Sequence, residues 1–166
     1  VYIARRENTI YAAKVMIGIT EIQTENLRKI LKLPYHKNIA NHFDILIHEG
    51  QLWLFMEHCA LGDLTNYSRL YKSYFNKEKL RMITQISEGV DFLHENNIIH
   101  RDLKPENLLV AECAENPVIK VTDFEMSKFW NEDETSELHT DVGTQSYKAP
   151  EFWNKDESGK ISYAAS

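Results

Sequence analysis

Three polar side chains whose types suit one chemistry fall within a single short stretch in the middle of the chain. Residues 100–107 read H-R-D-L-K-P-E-N, which brings the carboxylate of Asp102, the ammonium of Lys104 and the amide of Asn107 together. Transfer of a phosphoryl group needs positioned charges around an anionic transition state rather than covalent help. Asp102 would orient or accept the proton of an attacking hydroxyl, and Lys104 would balance charge on the transferred group. Asn107 would offer an amide oxygen to a hard cation such as Mg2+.

This stretch resembles the catalytic loop of protein kinases, whose pattern H-R-D-L-x-x-x-N it fulfils at every fixed position. Asp123 and Phe124, behind an apolar run at residues 118–121, are similar to the D-F-G segment of that family. The resemblance implies that Asp123 and Asn107 hold Mg2+. Lys104 in the loop and Thr144 further along resemble serine/threonine kinases, whereas tyrosine kinases usually carry Ala or Arg in the catalytic loop.

The resemblance also implies a site for ATP. Residues 12–14 read A-A-K and resemble the family's V-A-I-K, which assigns Lys14 to the α- and β-phosphates. Residues 52–59, L-W-L-F-M-E-H-C, resemble the strand and hinge that receive adenine. There Met56 would be the gatekeeper, and backbone groups of Glu57 and Cys59 would bind the adenine edge. Asp63 would approach the ribose. A buried strand followed by a loop explains the apolar residues of this stretch equally well.

Two positions depart from the family's pattern. Glu125 stands where D-F-G has its glycine, which restricts the backbone and adds negative charge beside the expected cation. The helix glutamate that pairs with the lysine is also unclear, because an ungapped alignment places Leu27 at its position. Pairing Lys14 with Glu25 instead needs a two-residue insertion, since two residues correspond to about 200° of helix rotation. We take Glu25 as the expected partner of Lys14.

The segment after residue 123 resembles the activation segment of the family. Gly143 and Thr144, followed by A-P-E at residues 149–151, resemble its end. Arg101, beside the catalytic Asp, is expected to be a buried cation that takes a phosphate partner from this segment. Thr140 is the hypothesised phosphorylation site, which an upstream activating kinase would modify. A merely solvated loop rich in Ser and Thr is the alternative.

Hydrophobic periodicity predicts the elements that must position these residues. Before the hinge, it predicts strands at residues 1–4, 10–16, 43–47 and 52–57 and a helix at 21–33 that Pro34 closes. After the hinge, it predicts helices at 63–71 and 76–95, the second capped by Asn76, then strands at 108–110 and 118–121.

These elements predict a strand-rich part followed by a mainly helical part. With the resemblance above, they imply an α+β, protein-kinase-like fold of two lobes that covers the middle of the family's domain. The small lobe, residues 1–57, is an antiparallel sheet with one helix and lacks the Gly-rich loop. Residues 58–62 form the hinge, and residues 63–166 form the first part of a mainly helical large lobe. On this interpretation the apolar helix face with Leu80, Ile83 and Ile86 is left exposed.

Composition narrows the class of protein. The chain has 166 residues, 43% of them hydrophobic, and a formal net charge of -6, which is globular and gives no nucleic-acid footprint. Cys59 and Cys113 are expected to be free thiols rather than a disulfide. The apolar stretches are too short to span a membrane and no signal peptide is evident, so the expected location is cytosol or nucleus.

Three functions remain open at this point. The first is an enzyme that phosphorylates Ser or Thr of protein substrates with ATP and Mg2+. The second is a pseudokinase, a nucleotide-binding or scaffold module that transfers phosphate poorly, which the unusual Glu125 favours. The third is a truncated fragment without activity of its own, and we expect little activity from this segment alone.

Overall fold

A computed structural model describes residues 1–130 and 143–148 of the chain. The first part is an antiparallel sheet with one helix, composed of β1 (Tyr2–Arg6), β2 (Thr9–Met16), α1 (Glu21–Ile30), β3 (His42–His48) and β4 (Gln51–Glu57). The strand order is β1-β2-β4-β3, so β4 lies between β2 and β3. This arrangement confirms the predicted antiparallel sheet with one helix.

The sheet buries apolar side chains on one of its faces. In β4, Leu52, Leu54 and Met56 are buried, while Trp53 and Phe55 between them point to the other face and are only partly buried. Leu52 and Leu54 pack with Met16 of β2 and Leu27 of α1 in one apolar cluster. The packing fixes which face of α1 meets the sheet.

Helix α1 begins at a capping box and ends earlier than expected. The Thr20 side chain accepts a hydrogen bond from the Gln23 backbone, and the Gln23 side chain accepts one from the Thr20 backbone. The predicted end at Leu33 was wrong, because the helix stops at Ile30. Leu33 N–H instead donates to the Ile30 carbonyl oxygen, which tightens the last turn ahead of Pro34.

The second part is built from α2 (Leu64–Leu70), α3 (Lys72–Glu95), β5 (Ile98–Ile99), β6 (Leu108–Cys113), β7 (Asn116–Val121) and β8 (Lys128–Phe129). Strand β6 pairs with β7 and β5 with β8, both antiparallel. With the small lobe, these helices confirm the two-lobe, α+β fold of the protein kinase kind. No helix in the described part of the chain is long and apolar enough to cross a membrane.

Helix α3 differs from its prediction at its start and on its buried face. It begins at Lys72, so the predicted cap at Asn76 was wrong; Tyr74 and Phe75 pack on the core and extend the helix by one turn. The buried residues are Met82, Gly89 and Leu93.

The expected apolar surface on α3 is present in part. Leu80 and Ile83 are exposed, whereas Ile86 packs against the core.

Helix α3 approaches the segment before β3 so closely that Gly89 must be a glycine, because a Cβ there would lie 2.8 Å from the Asn38 carbonyl oxygen.

Asn38 ties the two lobes together. Its buried side-chain Nδ2 donates to the Ile119 carbonyl oxygen at 2.8 Å and to Gln85 Oε1 at 3.1 Å. Its carbonyl oxygen accepts from Val121 N–H at 2.8 Å, and Ala40 N–H donates to the Val121 carbonyl oxygen at 2.9 Å. The segment before β3 is thereby fixed to β7, and β7 leads directly into Asp123.

His42, at the start of β3, has a buried imidazole ring. Both of its ring nitrogens are buried without a well-aligned hydrogen-bond partner, and its ring meets Phe124 edge-on with 5.3 Å between centroids. Burial lowers the pKa of His42 to about 4. The folded protein therefore holds this side chain neutral at pH values where the unfolded chain protonates it.

Replacing His42 with Leu should flatten the dependence of stability on pH. Between about pH 6.5 and pH 4 the unfolded state binds the extra proton, so acidification lowers the free energy of unfolding by up to about 1.4 kcal/mol per pH unit through His42. Urea unfolding at several pH values would measure the slope. Exposed His48, changed to Gln, is the control and should leave the slope unchanged; equal slopes in wild type and His42→Leu would contradict the prediction.

Candidate active site

A cleft of about 330 Å³ opens between the sheet and the second part of the chain. Among its lining residues are those that the sequence assigned to nucleotide and cation binding, namely Lys14, Met56, Glu57, Cys59, Asp63, Asn107 and Asp123. They come from β2, from the end of β4 and the connection to α2, from the loop before β6 and from the turn after β7. The fold thus gathers residues that are far apart in the sequence.

Asp102 is the best-connected side chain beside the cleft. Its Oδ1 accepts from the Thr144 backbone N–H at 2.9 Å and from Thr144 Oγ1 at 2.8 Å. Its Oδ2 lies 2.8 Å from Lys104 Nζ and accepts from Asn107 Nδ2 at 3.0 Å. Both oxygens are therefore held in fixed directions by donors from two segments of the chain.

These donors keep the carboxylate ionised. Burial alone would raise the pKa of Asp102, but hydrogen bonds from Lys104 and Thr144 outweigh it, and the pKa lies below its ordinary value. The hydrogen bond between Lys104 and Asp102 also raises the pKa of Lys104, so its ammonium stays charged. Lys104 Nζ also donates to Thr144 Oγ1 at 2.8 Å, which closes a triangle of the three side chains.

The backbone around Asp102 is shaped by its neighbours. Buried His100 has Nε2 at 2.8 Å from the Thr122 carbonyl oxygen, and its Nδ1 accepts from Asp102 N–H at 3.2 Å. Burial lowers the pKa of His100, which favours the neutral ring that this pairing requires. Gly143 has φ +92°, and a Cβ there would collide with the Arg101 carbonyl oxygen. Only glycine fits where this segment crosses the loop.

Arg101 was expected to be a buried cation awaiting a phosphate. The structure places it at intermediate exposure, with its Nε donating to the Met126 carbonyl oxygen at 2.6 Å. Thr140 and residues 149–151 lie outside the described residues. The phosphorylation hypothesis for Thr140 therefore stays a prediction.

Lys14 has two carboxylate neighbours. Its Nζ lies 2.9 Å from Asp123 Oδ1 and 2.6 Å from Glu125 Oε1. Burial alone would lower the pKa of Lys14, but the two carboxylates outweigh it and raise the pKa, so the amine is protonated. All three side chains are about three-quarters buried, which strengthens the attraction between the charges.

The predicted pairing of Lys14 with Glu25 is not found among the ion pairs of the described residues. Glu25 lies on the exposed side of α1. Leu27, buried in the apolar cluster of the sheet, sets the rotation of the helix and turns Glu25 outward. The sequence noted Glu125 as a departure but missed it as the partner of Lys14; its position two residues after Asp123 was the available signal.

Asn107 and Asp123 both line the cleft, and the Asn107 carbonyl oxygen accepts a hydrogen bond from the N–H of Thr122, the residue before Asp123. Asn107 Nδ2 donates to the backbone oxygen and to Oδ2 of Asp102, which leaves its amide oxygen as the donor atom for a cation. Asp123 has φ 70° and ψ 66°, a left-handed conformation uncommon outside glycine. Among the described residues, no group of three or more His, Cys, Asp or Glu could hold a metal ion.

The strand end and hinge are held to the large lobe by a charge pair. Glu57 Oε2 lies 3.0 Å from Lys120 Nζ of β7 and accepts from Asn41 N–H at 3.2 Å. Met56, the predicted gatekeeper, is buried, and its Sδ accepts a weak hydrogen bond from Thr122 Oγ1 at 3.7 Å. The Cys59 carbonyl oxygen accepts from Gly62 N–H at 3.1 Å.

Cys59 and Cys113 are free thiols, as expected from the sequence. Burial raises the pKa of Cys59 to about 12, so this thiol is unreactive at neutral pH.

Asp63 has a structural task that the sequence did not assign to it. It caps α2, because its Oδ1 accepts from Asn66 N–H at 2.8 Å and its Oδ2 from Asn66 Nδ2 at 2.7 Å. The carboxylate still lines the cleft, so its role toward a ribose stays a prediction.

Breaking the Glu57–Lys120 pair on one side should destabilise the protein more than removing both charges. Lys120→Met leaves a mostly buried Glu57 carboxylate without its cation, which should cost about 1–3 kcal/mol of unfolding free energy. The double change Glu57→Leu with Lys120→Met removes the stranded charge and should recover part of that loss. Urea unfolding of the wild type and the variants measures the difference. Equal losses in the single and double variants would contradict the prediction.

Comparison with known proteins agrees with this geometry. The family model described as Protein kinase domain matches residues 1–163. The chain is 38% identical over 133 residues to "Serine/threonine-protein kinase atg1" of Dictyostelium discoideum, covering 76% of this chain and 20% of that protein. It is 35% identical to "Calcium/calmodulin-dependent protein kinase type 1" of Caenorhabditis elegans, covering 84% of this chain and 39% of that protein.

A third relative, "CBL-interacting protein kinase 26" of Oryza sativa subsp. japonica, is 33% identical and covers 78% of this chain and 26% of that protein. The chain thus spans well under half the length of these curated relatives. The family model covers nearly all of the chain. The residues that carry the resemblance, in the catalytic loop, the D-F pair and the strand with Lys14, lie around one cleft. The chain belongs to the protein kinase domain family.

Proposed function

We propose that the protein containing this chain transfers the terminal phosphoryl group of ATP to serine or threonine hydroxyls of other proteins. The observation that supports this most strongly is the convergence of Lys104, Asn107 and Thr144 on the Asp102 carboxylate. The relatives named as serine/threonine-protein kinase and as calcium/calmodulin-dependent protein kinase favour the same reaction.

In this proposal Asp102 receives the substrate hydroxyl. The carboxylate is ionised at neutral pH, and its two oxygens are held by donors on either side. It would align the hydroxyl and take up its proton as the hydroxyl oxygen bonds to the γ-phosphorus, while the bond from that phosphorus to the bridging oxygen breaks and ADP leaves. Lys104, 2.8 Å from Asp102 Oδ2, would balance negative charge on the transferred group.

The donor chemistry of the cleft fits a magnesium nucleotide. Mg2+ in proteins takes one or two protein oxygen ligands and completes its shell with phosphate oxygens and water. The Asp123 carboxylate and the Asn107 amide oxygen would hold it in that way. The bound ion would neutralise phosphate charge, while Lys14 would bind phosphate oxygens with the donor directions that its carboxylate partners leave open.

The proposal that the acceptor is Ser or Thr draws on the contact between Lys104 and Thr144. In this structure the two side chains share a 2.8 Å hydrogen bond and both reach Asp102. They form one wall of the position that an acceptor hydroxyl would enter. The sequence resemblance to serine/threonine kinases at these two positions supports the same choice.

A second candidate is a scaffold module that binds nucleotide without efficient transfer. One observation favours it: the Lys14 ammonium is in contact with two carboxylates, so phosphate would have to compete with Glu125. The hydrogen bonds that Asp102 receives from Lys104, Asn107 and Thr144 favour the enzyme, which we take as the main proposal.

Changing Asp102 to Asn in the full-length protein should abolish phosphoryl transfer. The amide cannot accept the hydroxyl proton, and we expect a loss of about 100-fold to 10,000-fold in kcat. Transfer of labelled phosphate from Mg-ATP to a library of Ser/Thr peptides measures it, with a chelator as a further control. Signals from wild type that are near zero and equal to those of Asp102→Asn would reject the enzyme and favour the scaffold.

Thr144→Val should lower kcat by about 10-fold or more, because Asp102 Oδ1 loses its hydroxyl donor and Lys104 loses an acceptor. Thr144→Ser keeps the hydroxyl and should retain most of the activity. Steady-state kinetics on the two variants, with circular dichroism to verify folding, provides the comparison. Equal activities in Val and Ser variants would show that the hydroxyl does not support Asp102.

A further inference from the structure

We propose that Glu125 is the positioning residue for Lys14, supplying from the turn after Asp123 the carboxylate that kinases otherwise carry on the small-lobe helix. The inference rests on the proposed kinase function. It assigns a role to the residue that replaces the D-F-G glycine, and it makes the active lysine depend on that turn rather than on α1.

The geometry at Lys14 is that of an oriented ammonium. Glu125 Oε1 lies 2.6 Å from Nζ, closer than Asp123 Oδ1 at 2.9 Å. Glu125 Oε1 is buried from solvent and has no aligned hydrogen bond, so the lysine charge is what compensates it. Without the Glu125 carboxylate, the partly buried Lys14 ammonium would have Asp123 as its remaining charged partner. Without the Lys14 ammonium, the two partly buried carboxylates would lose the positive charge between them.

Helix α1 does not supply this carboxylate in the described structure. Leu27, which an ungapped alignment places at the position of the family's helix glutamate, is only 1% exposed and packs with Met16, Leu52 and Leu54. A carboxylate at that position would lose this packing. The change to Leu27 in α1 and the change to Glu125 after Asp123 therefore compensate each other physically.

The turn that carries Glu125 is fixed on several sides. It is the 3₁₀ turn Phe124–Met126, whose Phe124 is 1% exposed and contacts the rings of His42 and His100. Ser127 Oγ donates to the Phe124 carbonyl oxygen at 2.7 Å and closes the turn.

Two side chains from outside also hold it. Asn26 Nδ2 of α1 donates to the Ser127 carbonyl oxygen at 3.0 Å, and Arg101 Nε donates to the Met126 carbonyl oxygen at 2.6 Å. The Glu125 backbone is thus anchored between the helix and the catalytic loop. An anchored backbone lets a short charged side chain present its carboxylate at one place.

The second carboxylate has a chemical use when Asp123 also serves a cation. An ammonium has three N–H donors, and Asp123 shared with Mg2+ is a weaker partner for Lys14. Glu125 then keeps the lysine charge directed into the cleft, with donor capacity remaining for a phosphate oxygen. If Glu125 instead kept phosphate away from Lys14, removing its charge would raise kcat/KM for ATP rather than lower it.

Glu125→Gln in the full-length protein separates these roles by sign. We expect kcat/KM for ATP to fall about 10-fold or more, because the amide keeps the size but loses the charge. Exposed Glu21→Gln in α1 is the control for a lost carboxylate and should change kcat/KM less than 2-fold. Unchanged or increased activity in Glu125→Gln would overturn the proposal, as would a loss confined to Glu25→Gln.

A thermal-unfolding cycle tests the pair without relying on turnover. Glu125→Gln should lower the melting temperature of the wild type, since Lys14 loses a charged partner. In a Lys14→Met background the same change should leave the melting temperature unchanged or raise it, because Glu125 and Asp123 then repel each other. Equal decreases in both backgrounds would overturn the pairing.

The two proposals fail in different ways. Wild-type transfer no greater than that of Asp102→Asn would sink the kinase function, and the melting cycle would then still decide whether Glu125 pairs with Lys14. Robust wild-type transfer with no effect of Glu125→Gln would sink only the positioning role.

Discussion

The Lys14 ammonium, held between the carboxylates of Asp123 and Glu125, joins the sheet to the turn that follows β7. A charge this buried is tolerated because the opposite charges lie within 3 Å of it. The location of β2, the left-handed backbone at Asp123 and the burial of Phe124 all have to agree for this contact to form. Lys14 of β2 and Asp123 after β7 also both line the cleft, so the same contact joins two of its sides.

The Asp102 network depends on that arrangement through β7. Asn38 fixes β7 to the small lobe, and β7 leads through Thr122, whose carbonyl oxygen pairs with His100, into Asp123. His100 in turn accepts a hydrogen bond from the Asp102 backbone. Hydrogen bonds and buried rings therefore connect the contact between the lobes, the ion pairs of Lys14 and the Asp102 carboxylate. That continuity explains why substitutions at the hinge or at His42 are expected to affect stability first.

Much of this could be predicted from the sequence because the signals were local. The H-R-D-L-K-P-E-N stretch identified the resemblance to a kinase catalytic loop, and the apolar run at residues 52–57 identified β4. The partner of Lys14 could not, because ion pairing across more than a hundred residues depends on how α1 rotates against the sheet, and buried Leu27 decides that rotation. The predicted start of α3 was wrong for a related reason. Tyr74 and Phe75 are buried against the core, and this packing outweighs the capping preference of Asn76. The cap formed by Asp63 and the hydrogen bonds of Thr144 to Asp102 likewise required the tertiary structure.

In the proposed nucleotide site, Lys14 takes its orienting carboxylate from Glu125. A crystal structure of the full-length protein with Mg2+ and a non-hydrolysable ATP analogue would show this contact. We expect Lys14 Nζ to contact both a phosphate oxygen and the Glu125 carboxylate, while Asn107 and Asp123 bind the cation. A structure in which Glu125 points away and Lys14 pairs with Glu25, or in which no nucleotide enters the cleft, would contradict it.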